Sequence, residues 1–235
     1  MNEMGLYYSV IKGSNEPVQT RSFEMNNELF PNEEIEAITN FYKTYEPNVR
    51  LFEIYRKPVT TEVKNLFYGD SITAGWDLQE AFPNHSILNR GIPGDSPTGL
   101  HLRLKDDVLA HSPKRCFLLA GINGIDREET RILDQLFYVA NEITGSGIEV
   151  VFSSILPLRR GDQWDRFQYM DKIVRINDAL KKYAETRGQL YVDYYTHLLD
   201  SNGELAAEYA KPDGTHITPA GYMQMSRVVE PYLLP

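Results

Sequence analysis

From residue 64 onward, short apolar runs alternate with longer amphipathic segments, and this alternation restricts the fold more than any other feature of the sequence. The apolar runs predict five strands, at 66–68, 86–89, 115–120, 149–154 and 190–193. Helical spacing of apolar residues predicts helices at 96–110, 127–144, 171–186 and 219–232. Strands that alternate with helices form a parallel sheet covered on both faces. The predicted fold class is therefore α/β, a three-layer α/β/α sandwich with a mainly parallel, five-stranded sheet.

Capping residues mark several of the predicted helix ends. Thr218 followed by Pro219 is a favourable start for the last helix, because threonine caps the first turn and proline fits its first position. Gly145 and Gly188 are placed to end the two preceding helices, since glycine adopts the left-handed conformation that often terminates a helix. These positions support the predicted order of elements.

The first 62 residues do not follow the alternation. They predict a short strand at 6–12, a polar stretch at 13–20, a helix at 32–45 and a second strand at 49–55. The helix is indicated by the spacing of Ile35, Ile38, Phe41 and Tyr42. We therefore divide the chain into an N-terminal extension, residues 1–62, and a main domain, residues 63–235. The extension carries no chemical motif, and we interpret it as an added layer, a lid or an oligomer contact.

Composition limits the partners of this chain. It has 235 residues, of which 42% are hydrophobic, so it can bury a substantial core. Its formal net charge of -9 disfavours binding to nucleic acid or to an anionic membrane, because both attract basic surfaces. We therefore expect a small-molecule substrate, no nucleic-acid partner and no membrane partner. Symmetric pairing into a homodimer is the association that oligomer statistics favour.

The sequence also bears on where the protein acts. The first residues contain neither the basic region nor the apolar core of a signal peptide, and no later run is long and apolar enough to span a bilayer. The single cysteine, Cys116, lies within a predicted strand, where a small core side chain is the simplest interpretation. We expect a cytoplasmic protein.

The first predicted strand leads directly into a serine that has the position of a nucleophile. Gly69, Asp70 and Ser71 follow an apolar run, at a point where a helix can begin. Open α/β sheets bind their ligands at the carboxyl ends of the strands, and the N–H groups of a helix start stabilise negative charge. We interpret Ser71 as a nucleophile and Asp70 as a residue that braces its loop. The same residues also serve in ordinary helix capping, which is the alternative interpretation.

A base for Ser71 is found far downstream. Asp213 and His216 lie three residues apart and precede the last predicted helix. In a catalytic triad the histidine accepts the serine proton and the aspartate orients the imidazole, which gives these residues a shared function with Ser71. A capping loop and a pair of metal ligands are the alternatives. We expect no metal and no other cofactor, because no third histidine or carboxylate has the spacing of a ligand.

Two further loops supply hydrogen-bond donors for a developing oxyanion. Gly94 follows the second predicted strand, and Asn123 follows the third. The backbone N–H groups of Ser71 and Gly94, with the side-chain amide of Asn123, form the predicted oxyanion hole. Gly94 and Asn123 taken singly also fit ordinary turns. Their occurrence at neighbouring strand ends, together with Ser71 and His216, favours a shared site.

The loop after the fourth predicted strand carries the remaining candidates for substrate contact. Arg159, Arg160 and Trp164 lie there, and the indole of Trp164 suits the face of a sugar. The alternative is an exposed loop that makes no contact with substrate. We predict that these three side chains contact the leaving group.

In this order, Ser71, Gly94, Asn123, Asp213 and His216 resemble the conserved blocks of the SGNH hydrolases, also called GDSL-type esterases. The resemblance extends from roughly Lys64 to the C-terminus. It implies a flavodoxin-like sandwich and a metal-free serine esterase, with the serine, histidine and aspartate as the triad and the first three residues as oxyanion donors. The second block is most similar to platelet-activating-factor acetylhydrolase catalytic subunits and some carbohydrate acetylesterases, which implies a short acyl group such as acetyl.

Two residues depart from the pattern of this family. Ile72 replaces the usual leucine, and Gly124 replaces the aspartate that often follows the block asparagine. Three functions fit the chain: hydrolysis of a short-chain ester, acyl transfer to another acceptor through the same site, and noncatalytic carbohydrate binding or scaffolding on the same fold. We favour the hydrolase, because the full set of site residues is present.

Overall fold

A five-stranded sheet lies at the centre of the computed structural model, which describes residues 29–55, 59, 61–161 and 163–235. Its strands are β1 (Asn65–Gly69), β2 (Ile87–Gly91), β3 (Arg115–Leu119), β4 (Glu149–Ser153) and β5 (Leu190–Val192). They pair in the order β2-β1-β3-β4-β5, and every pairing is parallel. The predicted sheet is therefore confirmed, and each strand begins and ends within two residues of its predicted bounds.

Helices cover the sheet and extend the chain on its N-terminal side. In chain order they are α1 (Asn32–Thr44), α2 (Glu46–Tyr55), α3 (Ser71–Ala74), α4 (Leu78–Ala81), α5 (Pro97–Asp107), α6 (Glu129–Gly145), α7 (Met170–Thr186), α8 (Tyr194–His197) and α9 (Pro219–Val229). Short 3-10 helices lie at Leu109–His111, Arg166–Tyr169 and Glu230–Tyr232. The first and last of these follow α5 and α9, so both α-helices end earlier than predicted and finish in a tighter turn. In the part of the chain that the structure describes, no helix is long and apolar enough to cross a bilayer.

Side chains that alternate along β1 divide the core into two clusters. Leu66 and Tyr68 belong to the cluster covered by α5, α6 and α7, while Phe67 belongs to the cluster covered by α9 and the short helices. A strand that is buried on both faces needs apolar side chains in both directions, which is why β1 and β3 have continuous apolar sequences. The two clusters lie on opposite faces of the sheet and confirm the predicted three-layer sandwich.

The strand predicted at 49–55 is wrong, because this segment is helical and forms most of α2. Asn48, Phe52 and Tyr55 are four and three residues apart, so a helix places them on one side. Asn48 and Tyr55 donate hydrogen bonds to the backbone carbonyls of residues 93 and 91, and Phe52 packs edge to face against Tyr42 of α1. The many apolar residues of this segment favour a strand. The residues that contact neighbouring elements, however, repeat every three to four positions, which is the period of a helix.

The described part of the N-terminal extension is a helix pair beside the end of β2. α1 packs against α2 and against α5. The helix predicted at 32–45 is confirmed to within one residue, whereas the strand predicted at 6–12 and the polar stretch at 13–20 lie outside the described residues. The division into an extension and a main domain stays a prediction, as do the cytoplasmic location and the homodimer.

Candidate active site

The residues singled out as a catalytic site lie in loops at the carboxyl edge of the sheet. The neighbouring strands β2, β1 and β3 lead into the loops of Gly94, Ser71 and Asn123. Asp213 and His216 lie in the loop before α9. Because parallel strands end at the same edge of a sheet, the topology brings the three strand-end loops together.

Ser71 begins α3, and its loop is held by side chains on both sides. Asp70 is the N-cap of α3, and its Oδ1 accepts a hydrogen bond from the N–H of Ile72 at 2.9 Å. Tyr222 of α9 donates to the carbonyl of Ile72, also at 2.9 Å. The serine therefore lies in the first turn of a short helix at the end of β1, where the sequence predicted it.

Ser71, His216 and Asp213 form a continuous hydrogen-bonded chain. The Oγ of Ser71 lies 3.0 Å from Nε2 of His216, and Nδ1 of His216 lies 2.9 Å from Oδ2 of Asp213. The other carboxylate oxygen, Oδ1 of Asp213, accepts hydrogen bonds from the backbone N–H groups of Thr215 and His216, at 2.9 and 2.8 Å. This arrangement favours a proton on Nδ1 and leaves Nε2 as the acceptor for the serine proton.

Asp213 is held in its ionised form. Burial alone would raise the pKa of its carboxyl group, but the backbone N–H groups of His216 and Thr215, together with the His216 ring, keep that pKa below its usual value. An ionised carboxylate beside the imidazole stabilises the imidazolium that forms when the ring accepts a proton. The pair can therefore carry positive charge on His216 during a proton transfer.

Asn123 is oriented by hydrogen bonds at both ends of its amide. Its Nδ2 donates to the carbonyl of Asp95, in the loop that carries Gly94, at 2.9 Å. Its Oδ1 accepts from Nη2 of Arg166 at 3.1 Å. An amide nitrogen carries two hydrogens, so the bond to Asp95 uses one of them. The two contacts fix which end of the amide faces the loop of Gly94. They orient Asn123 although the next residue is Gly124 and not the aspartate that the family often has at this position.

An aromatic and a cationic side chain lie beside His216. The ring of Trp164 contacts the imidazole edge to face, with 5.5 Å between ring centroids, and the guanidinium of Arg166 lies 5.0 Å from the indole centroid. Trp164 is 42% exposed, so part of its ring is open to solvent. The structure therefore brings Trp164 to the candidate site. Arg166 was missed from the sequence, because it belongs to no motif and its contact with Asn123 joins residues 43 positions apart.

The two arginines of the predicted substrate loop bind a neighbouring turn. Arg159 donates to the carbonyl of Leu205 at 2.9 Å and lies 3.4 Å from a carboxylate oxygen of Asp200. Arg160 pairs with Glu204 at 3.2 Å. Among the described residues, their charged groups therefore brace this turn, and contact of either arginine with a substrate stays a prediction.

Asp70 has a different electrostatic environment from Asp213. Its side chain is fully buried, and burial raises the pKa of its carboxyl group to about 7. The N–H of Ile72 engages Oδ1, whereas Oδ2 makes no hydrogen bond with any residue that the structure describes. Asp70 therefore braces the nucleophile loop and itself carries a proton through the acidic range.

The histidines and carboxylates that the structure describes do not gather into an evident metal centre. Within the described ranges, no three His, Cys, Asp or Glu side chains are arranged to hold a metal ion. His216 is engaged by Ser71 and Asp213. That the protein needs no metal and no other cofactor stays a prediction.

The parallel sandwich and the Ser-His-Asp chain at its carboxyl edge define an α/β protein whose site has the arrangement of a catalytic triad. Residues 67–224 match the GDSL-like Lipase/Acylhydrolase family. The chain therefore belongs to this family, and the resemblance found in the sequence is confirmed. The matched region begins in β1 and ends in α9, so α1 and α2 lie outside it.

Individual proteins are similar to the chain over most of its length. A structure from Streptococcus pneumonia, provisionally named as a platelet activating factor, is 28% identical, with a TM-score of 0.73 over 86% of this chain and 99% of that one. A GDSL-like lipase from Bacteroides thetaiotaomicron is 26% identical, with a TM-score of 0.70 over 81% and 97%. The uncharacterized lipoprotein YqeF of Bacillus subtilis is 25% identical over 201 residues, which cover 66% of this chain and 82% of the relative. The part of this chain that is similar to the first structure, 86% of its residues, is longer than the main domain at residues 63–235. The similarity therefore extends into the N-terminal extension.

Proposed function

We propose that this protein is a serine esterase that removes a short acyl group, acetyl in particular, from a small ester or an acetylated carbohydrate. The observation that carries the proposal is the unbroken hydrogen-bonded chain from Ser71 through His216 to Asp213. Membership of a family of lipases and acylhydrolases supports the same chemistry. The reaction is hydrolysis through an acyl-enzyme formed on Ser71.

The reaction has two halves that use the same residues. In the first, Oγ of Ser71 attacks the ester carbonyl while Nε2 of His216 accepts the serine proton, and Nε2 then donates this proton to the departing alcohol oxygen. In the second, His216 accepts a proton from water, which attacks the acyl group on Ser71 and releases the carboxylic acid. Nε2 returns the proton to Ser71, and Asp213 stabilises the charged imidazole in both halves.

Hydrogen-bond donors beside Ser71 stabilise the negative charge that develops on the carbonyl oxygen. We assign this role to the backbone N–H groups of Ser71 and Gly94 and to Nδ2 of Asn123. The bond from the cationic Arg166 to Oδ1 of Asn123 supports the assignment. A positive donor on the amide oxygen polarises the amide, so Nδ2 becomes a stronger donor.

Trp164 supports a sugar or another small alcohol as the leaving group. Its partly exposed ring lies beside His216, the residue that protonates the leaving oxygen. Aromatic rings give flat apolar surfaces against which sugars and other small ligands pack. The short acyl group is proposed from the similarity of the Gly94 loop to acetylhydrolases.

Hydrolysis of p-nitrophenyl acetate, butyrate and octanoate by the wild type, Ser71→Ala and Ser146→Ala tests the proposal. We expect acetate to be the best substrate and Ser71→Ala to lower kcat by at least about a thousandfold, because the nucleophile is lost. Ser146 is an exposed serine whose hydroxyl donates to the carbonyl of Glu142, so Ser146→Ala keeps wild-type activity. A fully active Ser71→Ala would reject the proposal.

Three further outcomes separate the alternatives. A preference for octanoate would reject the short acyl group and favour a lipase. A sugar or alcohol acceptor that diverts the acyl group from free acid would show transfer instead of hydrolysis. Failure of a fluorophosphonate to label Ser71 would favour a noncatalytic protein of the same fold.

A further inference from the structure

The helix pair α1–α2 contacts the loop of Gly94 along the whole length of that loop. The contacts are hydrogen bonds from Tyr55 to the carbonyl of Gly91 at 2.8 Å, from Asn48 to the carbonyl of Pro93 at 3.3 Å and from Tyr42 to Oδ1 of Asp95 at 2.5 Å, and packing of Phe41 on Gly94. This loop, residues 91–96, therefore rests on helices that lie outside the region matched by the family.

Gly94 lies directly on α1. Its φ is 76°, and a side chain at this position would begin 2.8 Å from ring carbons of Phe41. Both the backbone conformation and the lack of space require glycine. The N–H group that the proposed reaction uses at Gly94 therefore belongs to a residue that Phe41 holds in place.

Asp95 connects α1 with the other oxyanion donor. The residue is 1% exposed, and its carboxylate accepts hydrogen bonds from Tyr42 at 2.5 Å and from Nε of Arg103 at 2.8 Å. Its backbone carbonyl accepts from Nδ2 of Asn123 at 2.9 Å. Tyr42 and Asn123 therefore bind the same residue from two sides, and Gly94 directly precedes that residue.

The network around Asp95 is charged, buried and connected to the nucleophile loop. Burial, reinforced by the neighbouring Asp95 carboxylate, raises the pKa of Tyr42, so its hydroxyl stays a donor at any working pH. Arg103 forms a 2.7 Å salt bridge with Asp95 and donates to the carbonyl of Gly69, two residues before Ser71, at 2.9 Å. A buried ion pair resists displacement, because a charge separated from its partner is costly in the interior.

We propose that α1 is a positioning element of the active site. Tyr42 holds Asn123 through Asp95, and Phe41 holds Gly94, so one helix of the N-terminal extension orients two of the three oxyanion donors. This inference rests on the proposed function and gives the extension a part in it. Tyr42 and Phe41 act through other residues and are positioning residues.

Tyr42→Phe removes one hydroxyl and keeps the ring, which makes it the central test. On p-nitrophenyl acetate we expect kcat to fall about tenfold and KM to change by less than about twofold. The oxyanion forms only in the transition state and the tetrahedral intermediate, so its donors do not contribute to binding of the substrate. Tyr45→Phe is the matched control. Tyr45 follows α1, is 43% exposed and stacks on Phe41 through its ring, so loss of its hydroxyl leaves kcat unchanged.

A double-mutant cycle separates positioning from a general structural effect. Asn123→Ala removes one donor outright, so adding Tyr42→Phe to it should lower kcat by a much smaller factor than in the wild type. Equal factors in the two backgrounds, or wild-type kcat in Tyr42→Phe, would overturn the inference. If Tyr42→Phe does not fold, Phe41→Leu replaces it as a single variant, because it loosens the support of Gly94. We then expect kcat to fall while KM changes by less than about twofold, and a wild-type kcat would overturn the inference.

Ser71→Ala, assayed in parallel, distinguishes failure of this inference from failure of the proposed function. An active Ser71→Ala rejects the esterase and the positioning role together. An inactive Ser71→Ala combined with an unaltered Tyr42→Phe rejects the positioning role alone. Because the substitution leaves the triad in place, the pH dependence of kcat should be the same in Tyr42→Phe and the wild type.

Discussion

Two carboxyl groups near Ser71 have pKa values shifted in opposite directions. Hydrogen bonds from backbone N–H groups overcome the effect of burial and hold the pKa of Asp213 below its usual value. Burial raises the pKa of Asp70 to about 7. The first carboxylate is therefore equipped to stabilise an imidazolium, and the second binds a proton when the chain folds.

Proton binding by Asp70 predicts stability that decreases as the pH rises. Its pKa is raised from 3.8 to about 7, so between these values the folded state holds one proton more than the unfolded chain. The stabilisation of the folded state by this proton is complete below pH 3.8 and is lost as the pH rises through about 7. Relative to Asp70→Asn, the wild-type free energy of unfolding should fall by about 1.4 kcal/mol per pH unit between about pH 5 and 7. Urea unfolding measures the difference, and a difference that does not change with pH would contradict the prediction.

Some site residues were predictable from sequence and others were not. Ser71 follows an apolar strand, and Asp213 and His216 share one short loop, so local patterns identify them. Arg166 contacts Asn123 across 43 positions, and Asp95 accepts from Asn123 through its backbone carbonyl, which every residue type possesses. Neither contact leaves a pattern in the sequence.

Among the elements, α6 shows that the glycine at which a helix ends and the glycine with the left-handed conformation can be different residues. Gly145 is the last residue of α6, and the left-handed residue that follows is Gly147, with φ of 80°. The N–H of Gly147 bonds to the carbonyl of Thr144. α6 therefore ends at Gly145 as predicted, but its left-handed residue is Gly147, whereas the left-handed residue after α7 is the predicted Gly188, with φ of 64°. A pattern of residue types cannot distinguish two glycines so close together, because the choice depends on backbone geometry.

Gly145, the last residue of α6, and Gly147, two residues later, form a matched pair for substitution. A methyl group at either position would meet no atom within 4 Å, so steric contact does not distinguish them. Gly147→Ala should destabilise the protein by about 1 to 2 kcal/mol, because an L side chain is strained at positive φ. Gly145→Ala should stabilise it by up to about 1 kcal/mol, because alanine is favoured in a helix. Urea unfolding compares the variants, and the reverse order would contradict the assignment.

In the whole molecule, a charged cluster joins the helix pair to the main domain. Glu34 of α1 forms ion pairs with Arg127 and Arg131 and accepts a hydrogen bond from Thr98 at 2.5 Å. The Glu34 side chain is only 9% exposed. The partners come from separate parts of the sequence, so periodicity and composition showed that a helix exists at 32–45 but not which surface it covers.

Glu34→Gln should weaken this junction. The substitution keeps the shape of the side chain and removes the charge that two arginines share, so we expect a loss of about 1 to 3 kcal/mol in the free energy of unfolding. Glu33→Gln is the control, because Glu33 is an exposed neighbour in the same helix and its replacement should change stability by less than about 0.5 kcal/mol. Equal midpoints for the two variants in thermal unfolding would show that the cluster contributes nothing.

In the proposed reaction, Ser71 gives its proton to a histidine that lies 145 positions further along the chain. A ribosome that adds about 5 to 20 residues per second needs about 7 to 30 s to cover that distance. During this interval the growing polypeptide already contains Ser71 and the segment of the helix pair that contacts the loop of Gly94, but it does not yet contain the histidine that the reaction needs as a base. On the proposed mechanism, the nascent chain is therefore unable to cleave an ester, and hydrolysis can begin only after translation has delivered the segment that precedes α9.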